Sequence, residues 1–251
     1  MNALVIATVV FVCVFCAPLL AFVLRGALPE QHLGADTKDT VRITMALVAT
    51  MAALMLGLLV ASAKDSYDTQ KEEVIEMSAK VAFFDRLLAL YGPEAVPART
   101  ALQHAIELMV ARVWPGSVAP NAGLKPNAGS AEMLYHAIQN LAPRTDEQRA
   151  LKTQAIASVY ELGQIRWLLF AQAGSSISAI LLTVVVCWLA ILFFSFGMFS
   201  PANGTVIVAL MLAAFSVAGA IFLILELDNP FDGLLRVSSQ PMLNALSQLM
   251  Q

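Results

Sequence analysis

Four long apolar segments constrain the fold of this chain more than any other feature of its sequence. They cover residues 4–24, 43–63, 177–199 and 206–225, and none has a charged side chain inside it. About twenty apolar residues let a helix cross a hydrocarbon core of roughly 30 Å, and a helix satisfies its own backbone groups in lipid. The sequence therefore predicts an all-α integral membrane protein with four transmembrane helices.

The overall composition agrees with a membrane protein and argues against several other classes. Apolar residues make up 59% of the chain, charged residues make up 13%, and the net charge is −3. No basic block of the kind that binds nucleic acid is present, so we expect no nucleic-acid partner. The histidines stand in no metal-binding pattern, and neither a GxSxG elbow nor a phosphate-binding glycine loop occurs. We expect no metal, no cofactor and no enzymatic activity.

The four segments divide the chain into parts. A transmembrane hairpin (1–63) is followed by a helical insertion (64–175), a second hairpin (176–227), and a C-terminal motif with a helix (228–251). Four spans place both termini and the insertion on one side of the membrane, and that side carries twelve of the fifteen Lys and Arg residues. The excess of positive charge predicts that the termini and residues 64–175 are cytoplasmic.

The insertion has the periodicity of amphipathic helices. After the second span, apolar residues recur at three- and four-residue steps: Val74, Met77, Val81, Phe84, Leu88 and Tyr91. Gly92 and Pro93 end this helix. Pro97 fits the first turn of a second helix, which we expect to bury Leu102, Ile106, Met109 and Val113.

The rest of the insertion contains a loop and two further helices. Residues 115–129 have the Pro, Gly and Asn content of an exposed loop, and a short helix is expected at 132–141. Thr145 and Gln148 then match a capping box that opens a long helix running toward the third span.

The second span carries two distinct faces. A stripe of small residues repeats every four positions: Ala49, Ala53, Gly57 and Ala61. About a third of a turn away lies a bulky apolar face, formed by Leu47, Met51, Leu54 and Leu58. The small stripe favours close helix packing in lipid. The bulky face either contacts lipid and protein or lines a narrow apolar pore that gates by dewetting.

Acidic and turn-forming residues are concentrated at the end of the fourth span. Glu226 and Asp228 lie at the boundary, and Asn229 with Pro230 favours a turn. Arg236 is available to pair with Glu226, Asp228 or Asp232. We expect this turn to hold the C-terminal helix in place.

Three separated motifs resemble those of a known family. They are AKDSYDTQ (63–70), FFDRLLALYGPEA (83–95) and ELDNPFDGLLRVSSQP (226–241). Together they resemble the bestrophin-like family of bacterial and plant membrane proteins. The positions that carry the resemblance are Asp85, Arg86, Tyr91, Gly92, Pro93, Glu94, Asp228, Asn229, Pro230, Phe231, Gly233, Arg236, Ser238 and Pro241.

The resemblance implies an architecture and a function. Bestrophins proper are pentameric anion channels with cytoplasmic termini, a second span that lines an apolar neck, and an Asn-Pro-Phe turn after the fourth span. For this chain, the resemblance therefore implies a homo-oligomer, pentameric by analogy, in a bacterial inner membrane. The acidic run of the calcium-gated members is missing after the Asn-Pro-Phe turn, and a calcium site needs six or more oxygen ligands. No calcium site is expected.

Two functions follow for this chain. The first is an oligomeric channel, conducting small anions through an apolar constriction on the second span. The second is a non-conducting membrane scaffold or accessory subunit that binds a partner through its cytoplasmic helices. The symmetry of the oligomer distinguishes them, because a channel requires an axial cavity lined by the second span.

Overall fold

The computed structural model describes residues 2–27, 34–114, 128–172, 178–231 and 233–249. Within these ranges the chain forms eight α-helices and no β-strand. The helices are α1 (Ala3–Arg25), α2 (Ala35–Tyr91), α3 (Val96–Val113), α4 (Ala128–Gln139), α5 (Asp146–Gln172), α6 (Ala179–Phe199), α7 (Gly204–Leu227) and α8 (Gln240–Leu249). The predicted all-α class is confirmed for this part of the chain.

Four of these helices are long and apolar enough to cross a membrane. They are α1, α2, α6 and α7, and each contains one of the four apolar segments of the sequence, apart from two terminal residues of the third. The chain divides into two compact units. The first unit comprises Met1–Tyr67 with Ser175–Leu235, and the second comprises Asp68–Gly174 with Arg236–Gln251. Helix α2 contributes its first half to the first unit and its second half to the second.

The core of the first unit forms where α1, α6 and α7 pack together. Its buried side chains are Val10, Val14, Phe193, Leu210, Ala214, Ile221 and Leu225. Gly197 of α6 lies directly against the backbone of Pro18 in α1, where a Cβ atom would overlap the Pro18 carbonyl. Glycine is needed at this crossing because small residues let helix backbones approach closely in lipid.

Two polar contacts define the ends of these helices. Arg25 Nη1, in the last turn of α1, donates to the carbonyl oxygen of Ser200 just after α6, at 2.6 Å. Asn203 caps α7, since its side-chain oxygen accepts from the Val206 N–H at 2.9 Å. This cap fixes the start of α7 directly after the short connection from α6.

The second unit buries the apolar stripe of α2 that its periodicity predicts. All six stripe residues are at most 3% exposed, and Val81 and Phe84 are fully buried. Gly92 has φ of +116°, which ends α2, and a 3-10 turn at Pro93–Ala95 leads into α3. Helix α3 buries Ala98, Leu102, Ile106 and Val110.

The predicted buried face of α3 was wrong at two positions. Met109 and Val113 are only half-buried, whereas Ala98 and Val110 take the inner positions. The true core face follows a strict four-residue step, which rotates it away from Met109 and Val113.

Side-chain hydrogen bonds hold the remaining helices of the second unit. The N-cap at Thr145 is confirmed, since Thr145 Oγ1 accepts from the Gln148 N–H at 3.1 Å. The returning bond differs from that of a standard capping box, because Gln148 Oε1 accepts from the N–H of Arg144, one residue before the cap, at 2.8 Å. The short helix was expected at 132–141 and instead starts earlier, at Ala128. Trp114 Nε1 donates to the Val237 carbonyl at 2.8 Å, which ties the segment before α8 to the end of α3.

Candidate pore face and motif turns

The bulky face of the second span is exposed along its whole length in the single chain. Leu47, Met51, Leu54 and Leu58 are 63%, 48%, 70% and 62% exposed. We call these four residues the pore face. Such exposure of large apolar side chains is unfavourable in water. This face therefore contacts lipid, packs against another copy of the chain, or lines an apolar constriction.

The small stripe of α2 is also largely uncovered. Ala53, Gly57 and Ala61 are exposed, and Ala49 is half-buried. A Cβ atom added at Gly57 would have no neighbouring atom within 4 Å. This glycine is therefore not required by packing within the chain, in contrast to Gly197.

A third face of α2 packs against its own chain. Ala52, Leu59 and Ala63 are buried, and Leu59 and Ala63 join Val185 of α6 and Ile224 of α7 in one cluster. At about 100° per residue, this buried face, the small stripe and the pore face are each separated by roughly a third of a turn. Helix α2 thus uses one face within the subunit and leaves two free.

The hydroxyl groups near the pore face are occupied by the helix itself. Thr44 Oγ1 donates to the Thr40 carbonyl at 3.0 Å, and Thr50 Oγ1 donates to the Ala46 carbonyl at 2.9 Å. The pore face itself consists of hydrocarbon and one thioether. Its side chains can constrict or exclude water, but they offer no strong ligand to an ion.

A cavity with a basic lining lies where α2 begins. It has a volume of about 570 Å³ and is formed by the first turns of α2 and the end of α6. Among the described residues, Lys38 and Arg42 line it together with a single acid, Asp39. The cavity therefore carries a net positive charge within its own lining, which favours anions.

The turn after α7 is organised around a buried carboxylate. Glu226 is 6% exposed, and its Oε2 accepts hydrogen bonds from the N–H groups of Leu234 and Leu235. Gly233, with φ of +92°, places its Cα directly against this carboxylate, where a Cβ atom would overlap Glu226. A side chain at this position would be strained by the backbone and would also displace Glu226.

The neighbouring motif residues complete the same turn. Asn229 Nδ2 donates to the Leu225 carbonyl at 3.0 Å, so the asparagine side chain caps the end of α7. Asp228, Pro230 and Phe231 are buried. The motif from 228 to 233 therefore encodes a fixed chain reversal, although Asp232 lies outside the described residues.

The role of Glu226 was missed by sequence reasoning. Its acid was considered as a boundary anchor or a partner for Arg236, but it holds the backbone eight and nine residues further along. The sequence signal that would have indicated this arrangement is a glycine seven residues after an acid that ends an apolar span. The remaining motif positions Arg236, Ser238 and Pro241 belong to the second unit, and their predicted roles stay predictions.

The middle motif is a clamp between α2 and α3. Asp85 is 8% exposed and accepts two hydrogen bonds from Arg99: Nε to Oδ1 at 2.7 Å and Nη2 to Oδ2 at 2.9 Å. The hydrogen bond to Asp85 raises the pKa of Arg99 above its ordinary value. This bidentate geometry is the strongest form of carboxylate–guanidinium pairing. Arg86, the next motif residue, is exposed.

The other middle-motif residues form the reversal that makes the clamp possible. Gly92 supplies the positive φ, and Pro93 and Glu94 lie exposed in the 3-10 turn. The Tyr91 carbonyl accepts from Gln148 Nε2 at 3.1 Å. Arg99 was missed by sequence reasoning, because no local spacing rule links it to Asp85 fourteen residues earlier.

Tyr91 is a buried phenol whose hydroxyl has no hydrogen-bond partner among the described residues. Burial raises the pKa of Tyr91, and the nearby charge of Glu94 raises it further, while Arg144 opposes the shift. The ring packs in the core and stabilises the fold, whereas burial of the hydroxyl without a partner lowers the stability.

Among the described residues, no group of three or more His, Cys, Asp or Glu side chains is placed to hold a metal ion. The candidate site thus consists of a pore face, a small stripe, a basic cavity and two motif turns.

Comparison with curated proteins and with solved structures gives no match. The sequence model of the bestrophin-like domain, by contrast, matches residues 10–242, which is nearly the whole chain. The match covers three of the four apolar helices in full, all but the first seven residues of α1, the pore face and both motif turns. This integral membrane protein belongs to the bestrophin-like family.

Proposed function

We propose that this protein is a homo-oligomeric anion channel in which α2 surrounds the pore. The observation that carries the proposal is the three-faced character of α2. One face packs on α6 and α7, and two apolar faces remain uncovered in the single chain.

A closed symmetric assembly uses both uncovered faces. In such an assembly the small stripe of one α2 packs against a neighbouring subunit, because small residues allow close approach of helices in lipid. The pore face, a third of a turn away, then points toward the symmetry axis. Five subunits, by analogy with the bestrophins proper, give an axial neck lined by rings of leucine and methionine.

An apolar neck gates by excluding water. Rings of Leu47, Met51, Leu54 and Leu58 offer no polar group to an ion, so conduction requires that the neck be wide enough to stay wet. The basic cavity beside Lys38 and Arg42 supports the assignment of anions, since its charge raises their local concentration. In this proposal the termini and residues 64–175 are cytoplasmic, in a bacterial inner membrane.

The test is current across a planar bilayer that contains the purified protein, in a chloride gradient, with gluconate replacing chloride as a control. We expect a chloride-selective unitary current that increases when Leu54→Ser widens and wets the neck. Leu212→Ser is the matched control, because Leu212 of α7 is exposed to a similar degree, 61%, but lies outside α2. Equal currents in the wild type, Leu54→Ser and Leu212→Ser would remove the pore face from the pathway.

The purely apolar pore face also favours a second candidate, a non-conducting scaffold or accessory subunit. Such a protein needs no polar pathway, and its second unit would bind the partner. Silence from correctly assembled protein across a range of pH and calcium concentration would favour this alternative over the channel.

A further inference from the structure

The second unit contains an apolar groove that the proposed channel does not use. It has a volume of about 750 Å³ and is formed by α2, α3, α4 and α5. Its walls include Leu102, Ile106, Met109, Leu134, Leu162 and Trp167. This volume falls in the range of small-molecule sites, roughly 300–1,000 Å³.

One cation in the wall of this groove has no ion-pair partner among the described residues. The side chain of Arg166 is half-buried and forms no hydrogen bond or ion pair with another described side chain. Glu132 also lines the groove, but it forms no ion pair with Arg166. A guanidinium that is partly removed from water needs acceptors for its five N–H groups.

The surroundings of Arg166 add to this need. Burial lowers the pKa of Arg166, and the nearby guanidinium of Arg112 lowers it further. Both effects disfavour the charged form of Arg166, and a carboxylate beside it would offset them.

The neighbouring parts of the chain do not carry that anion. Residues 115–127 and 173–177 lie outside the described ranges, and neither segment contains an Asp or a Glu. The first of them carries a further cation, Lys125. Neither segment can therefore supply a carboxylate to Arg166, and its charge is open to an anion from another molecule.

We propose that this groove binds a fatty-acid anion, with its alkyl chain along the apolar walls and its carboxylate on Arg166. A single alkyl chain with one charged end fits both the volume and the placement of Arg166 at one point of an apolar wall. This site does not depend on whether the protein conducts.

The test is saturable binding of radiolabelled dodecanoate to the full chain in phosphatidylcholine nanodiscs, measured above empty nanodiscs. Arg166→Gln is expected to weaken binding at least tenfold, because a charge-assisted pair is lost. Arg149→Gln, on the exposed side of the same helix, is the matched control and should leave binding unchanged.

A second variant tests the groove without changing its charge. Gly163 lines the groove, and a Cβ atom there would meet nothing within 4 Å, so Gly163→Phe is expected to fill the groove and abolish binding while the protein stays folded. Dodecanol, which lacks the charge, should compete at least tenfold less well than unlabelled dodecanoate.

Several results would overturn the assignment. They are binding no greater than that of empty nanodiscs, equal binding by Arg166→Gln and the wild type, and equal competition by dodecanol. Loss of dodecanoate binding when the nanodiscs contain phosphatidylglycerol would assign the groove to an anionic phospholipid instead.

Discussion

The two halves of α2 are both rich in apolar residues, but the first half exposes its large apolar side chains and the second half buries them. In the first half the large side chains of the pore face are 48–70% exposed. In the second half all six residues of the apolar stripe are at most 3% exposed. One continuous helix thus shows the pattern of a lipid-facing element and the pattern of an amphipathic element of a water-soluble fold.

The polar residues of α2 show the same contrast. From residue 43 to 63 there is no charged side chain. The second half carries charges on its outer face, where Lys80 pairs with Glu76 and with Glu161, each at 3.1 Å. An exposed apolar side chain is therefore unfavourable in water, whereas in lipid it is not. Burial against protein stabilises the second half by roughly 25 cal/mol per Å², whereas in lipid that driving force is absent.

The largest expected effect comes from a cavity in the second half. Phe84→Ala removes a fully buried ring and should lower the free energy of unfolding by about 3–5 kcal/mol. Phe83→Ala is the matched control, since Phe83 is 51% exposed, and should cost about 1 kcal/mol or less. Guanidinium unfolding of the full chain in detergent, followed by tryptophan fluorescence, measures both. Equal losses would mean that the stripe is not the core of the second unit.

A polar clamp should matter less than the apolar core. Asp85→Ala leaves the half-buried Arg99 without its carboxylate and should cost about 1–3 kcal/mol in the same unfolding experiment. Arg86→Ala, an exposed neighbour from the same motif, should stay within about 0.5 kcal/mol. The double variant Asp85→Ala/Arg99→Ala should be little worse than Asp85→Ala alone, and simple additivity would show that the pair does not act as a unit.

In the first half, a bulky residue should alter assembly but not the fold of the subunit. Gly57→Leu fills open space on the small stripe, so the free energy of unfolding should change by less than about 1 kcal/mol, while the proposed oligomer should dissociate. Light scattering coupled to size-exclusion chromatography measures the mass of the complex. Gly219→Leu, at an equally open glycine on α7, is the control. An intact Gly57→Leu oligomer would exclude the stripe as the subunit contact.

The smallest effect at neutral pH concerns the last residue of α2. Tyr91→Phe removes a buried hydroxyl that has no partner among the described residues, so stability at pH 7 should be unchanged or higher by up to about 0.5 kcal/mol. The pKa of Tyr91 is raised in the folded chain, so its phenol holds its proton more tightly than in the unfolded chain. Stability should therefore be complete below about pH 10, the ordinary pKa of tyrosine, and fall above it. Tyr91→Phe should lessen that alkaline loss, and identical pH profiles would refute the burial of the phenol.

Local patterns in the sequence predicted much of the fold. The stripe of α2, the stop at Gly92 and the N-cap at Thr145 each depend on residues within a few positions of one another, and each was confirmed. The error at Met109 and Val113 arose because three- and four-residue steps fit several helix faces. Only the packing partner selects one of them.

The functional elements were predictable to different degrees. The pore face and small stripe can be read from periodicity, and their exposure in the single chain leaves both available for contacts outside it. The Arg166 groove could not be predicted, because it exists only where four helices meet and its lining comes from residues that are distant in the sequence.

By itself, the sequence determined which segments are helical, where they stop and which of them suit lipid, because these properties depend on composition and on neighbours along the chain. The tertiary structure decided which distant groups meet. Arg99 reaches Asp85 across the Gly92 reversal, Trp114 reaches the Val237 carbonyl, and Glu226 holds the backbone of Leu234. Such pairs depend on the direction in which the chain returns after each turn, and that direction is fixed by how whole helices pack.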